Sequence, residues 1–461
     1  MKSKILSKMN VKLGLCLSLL TPILVSANTY DSEDPKKLVV ITLKGAPVSS
    51  QVLDLEPTER VSAMVTEFRL RSASLLKDLK REIANGGASD VEPLYSSNSV
   101  LARLSEASLN RIASNPGVQS YTYDRQLELW PELESKADND IRARWTYGLK
   151  KSGIPEVRKA YGLDGSGVRV GVLDSGIDAT HPHLEGQVVA WKDFAGNRTE
   201  PADLNGHGTH CAGTIAGIGD YYEQIGVAPG AKLVVGRIFS DSNQATYAGI
   251  LRAMEWMTDP DGDPQTADHP RIVSNSWGGA RRPFNEERAL WNAVQTWRDM
   301  GIMPVFAIGN SGPNSSTAAS PGAYPHAFGV GATDHLDRSP GWSSRGPVRW
   351  QGKSYIKPDI SAPGLNVLSA KPGGKLVYKS GTSMAAPHIA GMAALLLQSN
   401  PNYTVEQLET ILLEGVEDLG RKGKDNVFGE GRANLKTSLD GQRQGGVGKL
   451  NNVQNKMKSL Y

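Results

Sequence analysis

Three features of the 461-residue sequence predict an α/β chain: a doubly wound, mostly parallel sheet preceded by a small ferredoxin-like α+β module. From about residue 145 to 440, short apolar runs alternate with stretches of helical periodicity, which is the pattern of a parallel sheet with helices on both faces. Residues 36 to 128 follow the order β-α-β-β-α-β, the ferredoxin-like arrangement. Between the two, residues 131 to 144 (PELESKADNDIRAR) are polar and charged, with little apolar content to bury.

The bulk numbers suit a globular chain of two or three domains. The length exceeds one ordinary domain, and 39% hydrophobic with 21% charged residues allows a large core. The net charge is +3 and there is no long basic run, so no nucleic-acid partner is expected. Frequent Gly (49) and Pro (26) point to many tight turns.

Taken in order, the N-terminus is not fold material. Lys2, Lys4, Lys8 and Lys12 precede the apolar run LGLCLSLLTPILV, and VSA-NT follows with small Ala27 at a cleavage position. Residues 1–27 read as a secretory signal peptide. The alternative, a retained anchor, is disfavoured because the run is short for a membrane span. Cys16 lies inside this run without the small-residue lead-in of a lipoprotein signal, so it leaves with the peptide. Cys211 is then the one cysteine of the exported chain, which excludes an intramolecular disulfide.

In the module at 36–128, KLVVITLKG alternates Val39, Ile41 and Leu43 as a half-buried strand. A long helix follows, with Val61, Val65, Phe68, Leu75, Leu79 and Ile83 on one face and a Gly pair as its stop. VEPLYSSNSVLARLS supplies one or two strands, EASLNRIASNPG a short helix and VQSYTYDRQLEL a last strand. Residues 129–144 read as a linker holding a processing site; a surface helix of the next domain is the alternative. In the domain at 145–440, VRVGVLD, LVVGRIF, RIVSNSW, MPVFAIGN and AFGVGAT read as buried strands. YAGILRAMEWM, EERALWNAVQTWRDMG and AAPHIAGMAALLLQS read as helices. Residues 441–461 read as a loose polar tail.

Ligands of open α/β sheets sit outside the carboxyl ends of the strands. Asp174 (VGVLDSGID) and Asn310 (VFAIGNSG) stand at such ends, and Ser383 (SGTSMAAPHIAG) stands where a long apolar helix begins. Pro387 is expected in that helix's first turn, where a missing N–H costs no hydrogen bond. A serine nucleophile needs a base, which His207 in NGHGTHCAGT supplies. The base needs an acid to fix its tautomer, and the oxyanion needs preplaced donors, here the Ser383 N–H and the Asn310 amide. Taken singly, Asp174 and Asn310 also fit turns, Ser383 a helix cap, and His207, His210 and Cys211 a metal site. Zinc would still need ligands from remote residues.

The blocks VLDSGID, HGTHCAGT, SNSWGG, AIGNSGP and GTSMAAPHIAG, in that order, resemble the subtilisin-like serine proteases (subtilases) over residues 145–440, with VSNSWGG nearer a bacillopeptidase F-like subgroup. The module before them resembles the family's inhibitor-type (I9) propeptide. The resemblance implies a subtilisin-like fold in which Asp174 orients, His207 is the base, Ser383 attacks and Asn310 binds the oxyanion. His210 would be the family's structural second histidine. Cys211 would be a small packing residue, whose mercuration should inactivate the enzyme. Ser276, Trp277, Gly278 and Gly279 would form one wall of the pocket for the residue before the scissile bond, with Trp277 either shaping the wall or packing behind it. Gly309 and its neighbours, with the segment near Ala319, would form the other wall and the floor. No charge stands at the inferred base, so an apolar or aromatic preference is expected.

No cofactor is required for this chemistry, but structural calcium fits the family. One family calcium aspartate is replaced here by His183. Asp259, Asp261 and Asp263 in TDPDGDP are the remaining candidates, with a plain acidic turn as the alternative. The resemblance thus implies a secreted, monomeric serine endopeptidase, extracellular or periplasmic, made as a zymogen. It would act on protein or peptide substrates, with its own propeptide as intramolecular inhibitor and folding aid, and with no membrane attachment after signal cleavage. It would free itself within residues 126–145, though not at the bond before Pro131, because proline lacks the amide hydrogen. The competing readings are a narrow processing peptidase and a catalytically silent binding module.

Overall fold

The computed structural model describes residues 36–131, 133–135, 144–220 and 223–445. The signal-peptide reading of 1–27 with Cys16, most of the linker (136–143) and the tail beyond 445 lie outside the described residues.

The N-terminal module runs β1 (Lys37–Leu43), α1 (Ser50–Leu53), α2 (Pro57–Ala84), β2 (Ala88–Leu94), β3 (Ser99–Leu104), α3 (Glu106–Ala113) and β4 (Val118–Tyr123). Its four strands pair antiparallel in the order β2-β3-β1-β4, which is the ferredoxin-like topology. The long helix α2 turns Met64, Phe68, Leu75 and Leu79 inward. Ile83, expected on that face, is 46% exposed in the last turn, where Glu82 is buried instead and bonds Ser108 and Arg111. β1 is buried on both faces, not half-buried: Val39, Ile41 and Leu43 join the module's own core, while Val40 packs into the next domain. A strand whose second face docks on another domain keeps no solvent side, so alternation alone understates its burial.

Two short strands, β5 (Gln126–Glu128) and β6 (Leu133–Ser135), follow. The second domain then runs α4 (Tyr147–Lys151), α5 (Ile154–Tyr161), β7 (Arg169–Asp174), β8 (Val188–Asp193), α6 (His207–Ala216), β9 (Lys232–Arg237), β10 (Gln244–Thr246), α7 (Tyr247–Trp256), β11 (Ile272–Asn275) and α8 (Phe284–Asp299). It continues with β12 (Met303–Ala307), β13 (Phe328–Thr333), β14 (Val348–Trp350), β15 (Lys353–Tyr355), β16 (Ile360–Pro363), β17 (Val367–Lys371), β18 (Lys375–Ser380), α9 (Thr382–Ser399), α10 (Val405–Glu414) and α11 (Leu435–Gly445). The last helix takes in 441–445, the first five residues of the expected tail.

Seven strands pair parallel in the order β16-β13-β12-β11-β7-β9-β8. Val170 and Val172 of β7 face the layer that holds α6, α9 and α10, and Leu173 faces the layer of α7 and α8. Helices on both faces explain why these strands read as unbroken apolar runs. The outer surface of α7 and α8 receives the ferredoxin-like sheet. Thr296 Oγ1 donates to Ser96 O at 2.6 Å, Asn292 Nδ2 donates to Ser97 O, and Val40 and Leu101 enter the same apolar cluster as Ile250 and Leu290.

Candidate active site

β7 lies inside the sheet, between β11 and β9, and ends in Asp174, which is 1% exposed. The next residue's N–H donates to Asp174 Oδ1 at 2.7 Å, which points the carboxylate across the strand ends. His207 is the first residue of α6, and its Nδ1 lies 2.6 Å from Asp174 Oδ1. Facing the carboxylate, Nδ1 carries the proton, which leaves Nε2 as the basic nitrogen.

What holds α6 in register is Asp203, a buried carboxylate that the sequence reading missed. It accepts from the N–H groups of Asn205, Gly206 and Thr209 and from the hydroxyls of Thr209 and Ser175. Ser175 Oγ in turn accepts from Gly208 N, which ties the helix start to the end of β7. The signal was present, since an aspartate just ahead of a helix start satisfies its orphan N–H groups. Two glycines permit the close approach. A Cβ on Gly208 would sit 2.1 Å from Gly176 O, and Gly176 itself has φ +118° with Ala202 O in the place of a Cβ.

Ser383 is the second residue of α9, where N–H groups have no intrahelical acceptor. Pro387 is not in the first turn as expected. It is the sixth helical residue, so it removes the N–H that would bond Ser383 O. That carbonyl is satisfied from outside the helix: Ser276 Oγ donates at 2.8 Å and Cys211 Sγ at 3.5 Å. Ser383 Oγ donates to Ser276 O at 3.2 Å. Cys211 also stands 3.9 Å from His207 Nδ1, so its sulfur touches both His207 and the backbone of Ser383. Burial pushes the Cys211 thiol up from its ordinary range, which keeps it protonated. His210, one turn beyond His207, turns away and bonds Val367 O at 3.0 Å. Asp174, His207 and Cys211 offer ligand atoms within 4.8 Å of one another, with His210 outside the group.

Asn310 follows β12. Its Oδ1 accepts from Thr382 N and Thr382 Oγ1, both at 2.9 Å. Two donors on one oxygen assign the amide orientation, so Nδ2 is left as the donor beside Gly381 and the start of α9. Gly309 has φ +111°, and a Cβ there would stand 3.1 Å from the Cβ of Ala319, so the Gly309 and Ala319 segments do adjoin. Ser276 to Gly279 follow β11, with Gly279 bridged to Ser320. The Trp277 indole stands edge-on to Phe306 at 5.5 Å, inside the cluster that also takes in Leu127 and Leu129.

The chain's own residues 124–131 and 133–135 run along these elements. Asp124 Oδ1 accepts from Ala248 N in the first turn of α7. β5 then pairs antiparallel with β10, Leu127 opposite Ala245, and Leu129 N donates to Asn243 O. The ring of Trp130 lies against Gly278, where a Cβ would come within 2.9 Å of it. β6 pairs antiparallel with β18, Leu133 opposite Ser380, three residues before Ser383. The linker expected here is thus partly strand, formed by pairing with distant segments.

Among the acidic candidates, the structure brings together Asp259, Asp261 and Asp268, whose oxygens lie within 4.8 Å of one another. Asp263 is not in the group; it accepts from Gln265 N in the following turn. Burial and the charges of Asp268 and Asp261 push the Asp259 carboxyl up to about 6. Asp259 Oδ1 is buried without a donor, and three crowded carboxylates are a donor set suited to a hard cation such as calcium. The rings of His181 and His183 lie 5.4 Å apart and tilted by 33°.

The profile of the Subtilase family matches residues 165–431. The serine protease AprX of Bacillus subtilis is 38% identical over 315 residues, which cover 62% of this chain and 69% of that protein. Bacillopeptidase F of the same organism is 32% identical over 428 residues, 82% of this chain but only 29% of that much longer relative. Subtilisin Savinase of Lederbergia lenta is 35% identical over 292 residues, 63% of this chain and 97% of that protein.

Proposed function

This chain belongs to the subtilase family of serine endopeptidases, and from that premise we propose that it is an exported zymogen. In this reading Asp174, His207, Ser383 and Asn310 carry acyl transfer and the ferredoxin-like module is its propeptide. The observation that carries the reading is the convergence of Asp174, the first turn of α6 and the first turn of α9, joined by the 2.6 Å carboxylate–imidazole contact and by Cys211.

Ser383 Oγ attacks the substrate carbonyl while His207 takes its proton. Asp174 holds the ring and steadies the imidazolium. The Ser383 N–H and Asn310 Nδ2 meet the developing oxyanion, and the fixed Asn310–Thr382 bonds mean that no reorganisation is required. His207 then protonates the leaving amine, and water hydrolyses the acyl-enzyme with His207 again as base. A calcium ion held by Asp259, Asp261 and Asp268 would neutralise that loop and take no part in these steps.

The propeptide role is supported by the way residues 126–128 pair with β10 and residues 133–135 with β18, as a bound substrate strand would. The signal-like N-terminus supports release of the mature domain outside the cytoplasm. No described helix is long and apolar enough to cross a membrane. A fluorophosphonate labels a serine only where a base and an oxyanion site act on it. It should label the processed enzyme at Ser383, and an unlabelled, processed enzyme would reject the assignment.

A further inference from the structure

The strand that pairs with β10 and then β18 carries, between the two pairings, a bond that a serine protease cuts poorly. The chain runs along β10 as far as Leu129 and pairs with β18 from Leu133. β18 leads straight into the turn of Gly381 and Ser383, so the bond facing Ser383 falls among the few residues between these two pairings. Trp130 is fixed by a second contact, its ring lying on the Cα face of Gly278. A side chain at 278 would overlap both that ring and Ser320 O, at 2.9 and 2.6 Å. Leu127 and Leu129 sit in the apolar cluster with Trp277 and Ala245, while Pro131 is exposed.

We propose that Leu127–Pro131 is a resistant pseudo-substrate. Trp130 fills the pocket before the scissile bond, and Pro131 makes that bond one the enzyme holds without consuming. This rests on the proteolytic reading above and adds to it a substrate class: chains carrying a large aromatic residue in the Trp130 position and leucine at the Leu127 and Leu129 positions. Proline contributes twice. It drives Trp130 into extended backbone, which continues the line of the strand that Leu129 N ties to Asn243 O, so binding is preorganised. Its nitrogen also carries the ring Cδ where other residues carry hydrogen. That carbon crowds the nitrogen that His207 must protonate for the amine to leave. The wild-type maturation bond therefore lies elsewhere in 132–144, and the plug persists until that cut is made.

The test is the full-length chain with Pro131→Ala beside wild type, with a Ser383→Ala version of each as a control for foreign proteases. Pro131 is exposed, so the alanine chain should fold as wild type does. With alanine at 131, Ser383 Oγ bonds to the Trp130 carbonyl carbon. The C–N bond breaks, and the residue 131 nitrogen leaves with the proton that His207 carries. Water then releases the Trp130 carboxylate and restores the serine. The expected result is a new N-terminus at residue 131, formed at least tenfold faster than any cut in wild type and absent in both Ser383→Ala chains. Wild type should show no cut between 130 and 131. Cleavage of wild type at that bond would overturn the proposal. So would an alanine chain that digests casein yet leaves the 130–131 bond whole. A chain that cuts neither itself nor casein overturns the proteolytic reading and this inference with it.

Discussion

Glu255 makes the hold of the ferredoxin-like module on the catalytic domain depend on pH. It lies on α7 and accepts from Ser96 N at 3.0 Å and Ser96 Oγ at 3.1 Å, at the turn between β2 and β3. Around it stand Tyr95, which bonds Thr258, and Glu92, which pairs with Arg252 of α7. Burial under the module, with a smaller push from Glu92 and against the pull of Ser96, raises the Glu255 carboxyl from 4.5 to about 8. A value raised in the complex means that the complex retains a proton that the separated domain gives up. The extra stability is therefore fully present below about 4.5 and is lost as the pH climbs through about 8. One carboxylate titrating between these limits changes the dissociation constant by up to tenfold per pH unit, or roughly a few hundredfold between about pH 5 and pH 8. Part of the residue reaches solvent, so this is a ceiling. The assay is binding of a separately made module (36–130) to the Ser383→Ala catalytic domain across that range, beside the same domain with Glu255→Gln. The substitution is on the catalytic side, so any folding of the module on binding contributes equally to both. Wild type should weaken with rising pH and the glutamine variant much less. Its residual slope belongs to Asp124, whose carboxyl burial also raises. Equal slopes, or a wild-type complex that tightens as pH rises, would refute the reasoning.

Four further outcomes are expected. Asn310→Leu removes the side-chain oxyanion donor and should lower kcat by about 10²–10³ with little change in KM, a magnitude characteristic of this donor in the family rather than one derived from the structure; steady-state kinetics on a peptide substrate check it. Asp203→Ala strips the start of α6 of its acceptor and should cost about 1–3 kcal/mol of stability along with activity, read from denaturant unfolding of the processed enzyme. Ser276→Ala leaves Ser383 O with Cys211 as its one donor and should reduce kcat more than KM in the same assay. Mercuration of Cys211 should abolish turnover by wedging apart His207 and the Ser383 backbone; full activity at complete labelling, judged by mass, would contradict that placement.

Much of this architecture is legible in the sequence because its strands are buried on both faces. β7, β9, β11, β12 and β13 are apolar runs flanked by turn residues, and the reactive groups stand at their ends. Elements whose existence depends on distant partners are not legible. β5 and β6 are three-residue strands formed by pairing with β10 and β18, far away in the chain. β16 ends in a proline that reads as a breaker, but as an edge strand of the large sheet it tolerates one. α6 is made of small residues, so it carries little periodicity. At the site, the proposed set of Asp174, His207, Ser383 and Asn310 is readable because acyl transfer needs those types at strand and helix ends. Asp203 acts through backbone N–H groups, and Asp268 joins Asp259 and Asp261 by the path of a loop; neither relation is written in spacing. Pro387 lies one turn deeper in α9 than a helix-start proline would. The consequence, a Ser383 carbonyl held by Ser276 and Cys211, needs three segments in space to be seen.

The central claim is that Ser383 is the nucleophile of a self-processing endopeptidase. The most direct test is the intact mass of the purified precursor, made from residue 28, wild type beside Ser383→Ala. The account predicts that wild type shortens by about the length of the module and that the alanine chain stays whole. Two whole chains, with no fluorophosphonate label on Ser383 once the module has been removed by another protease, would contradict it.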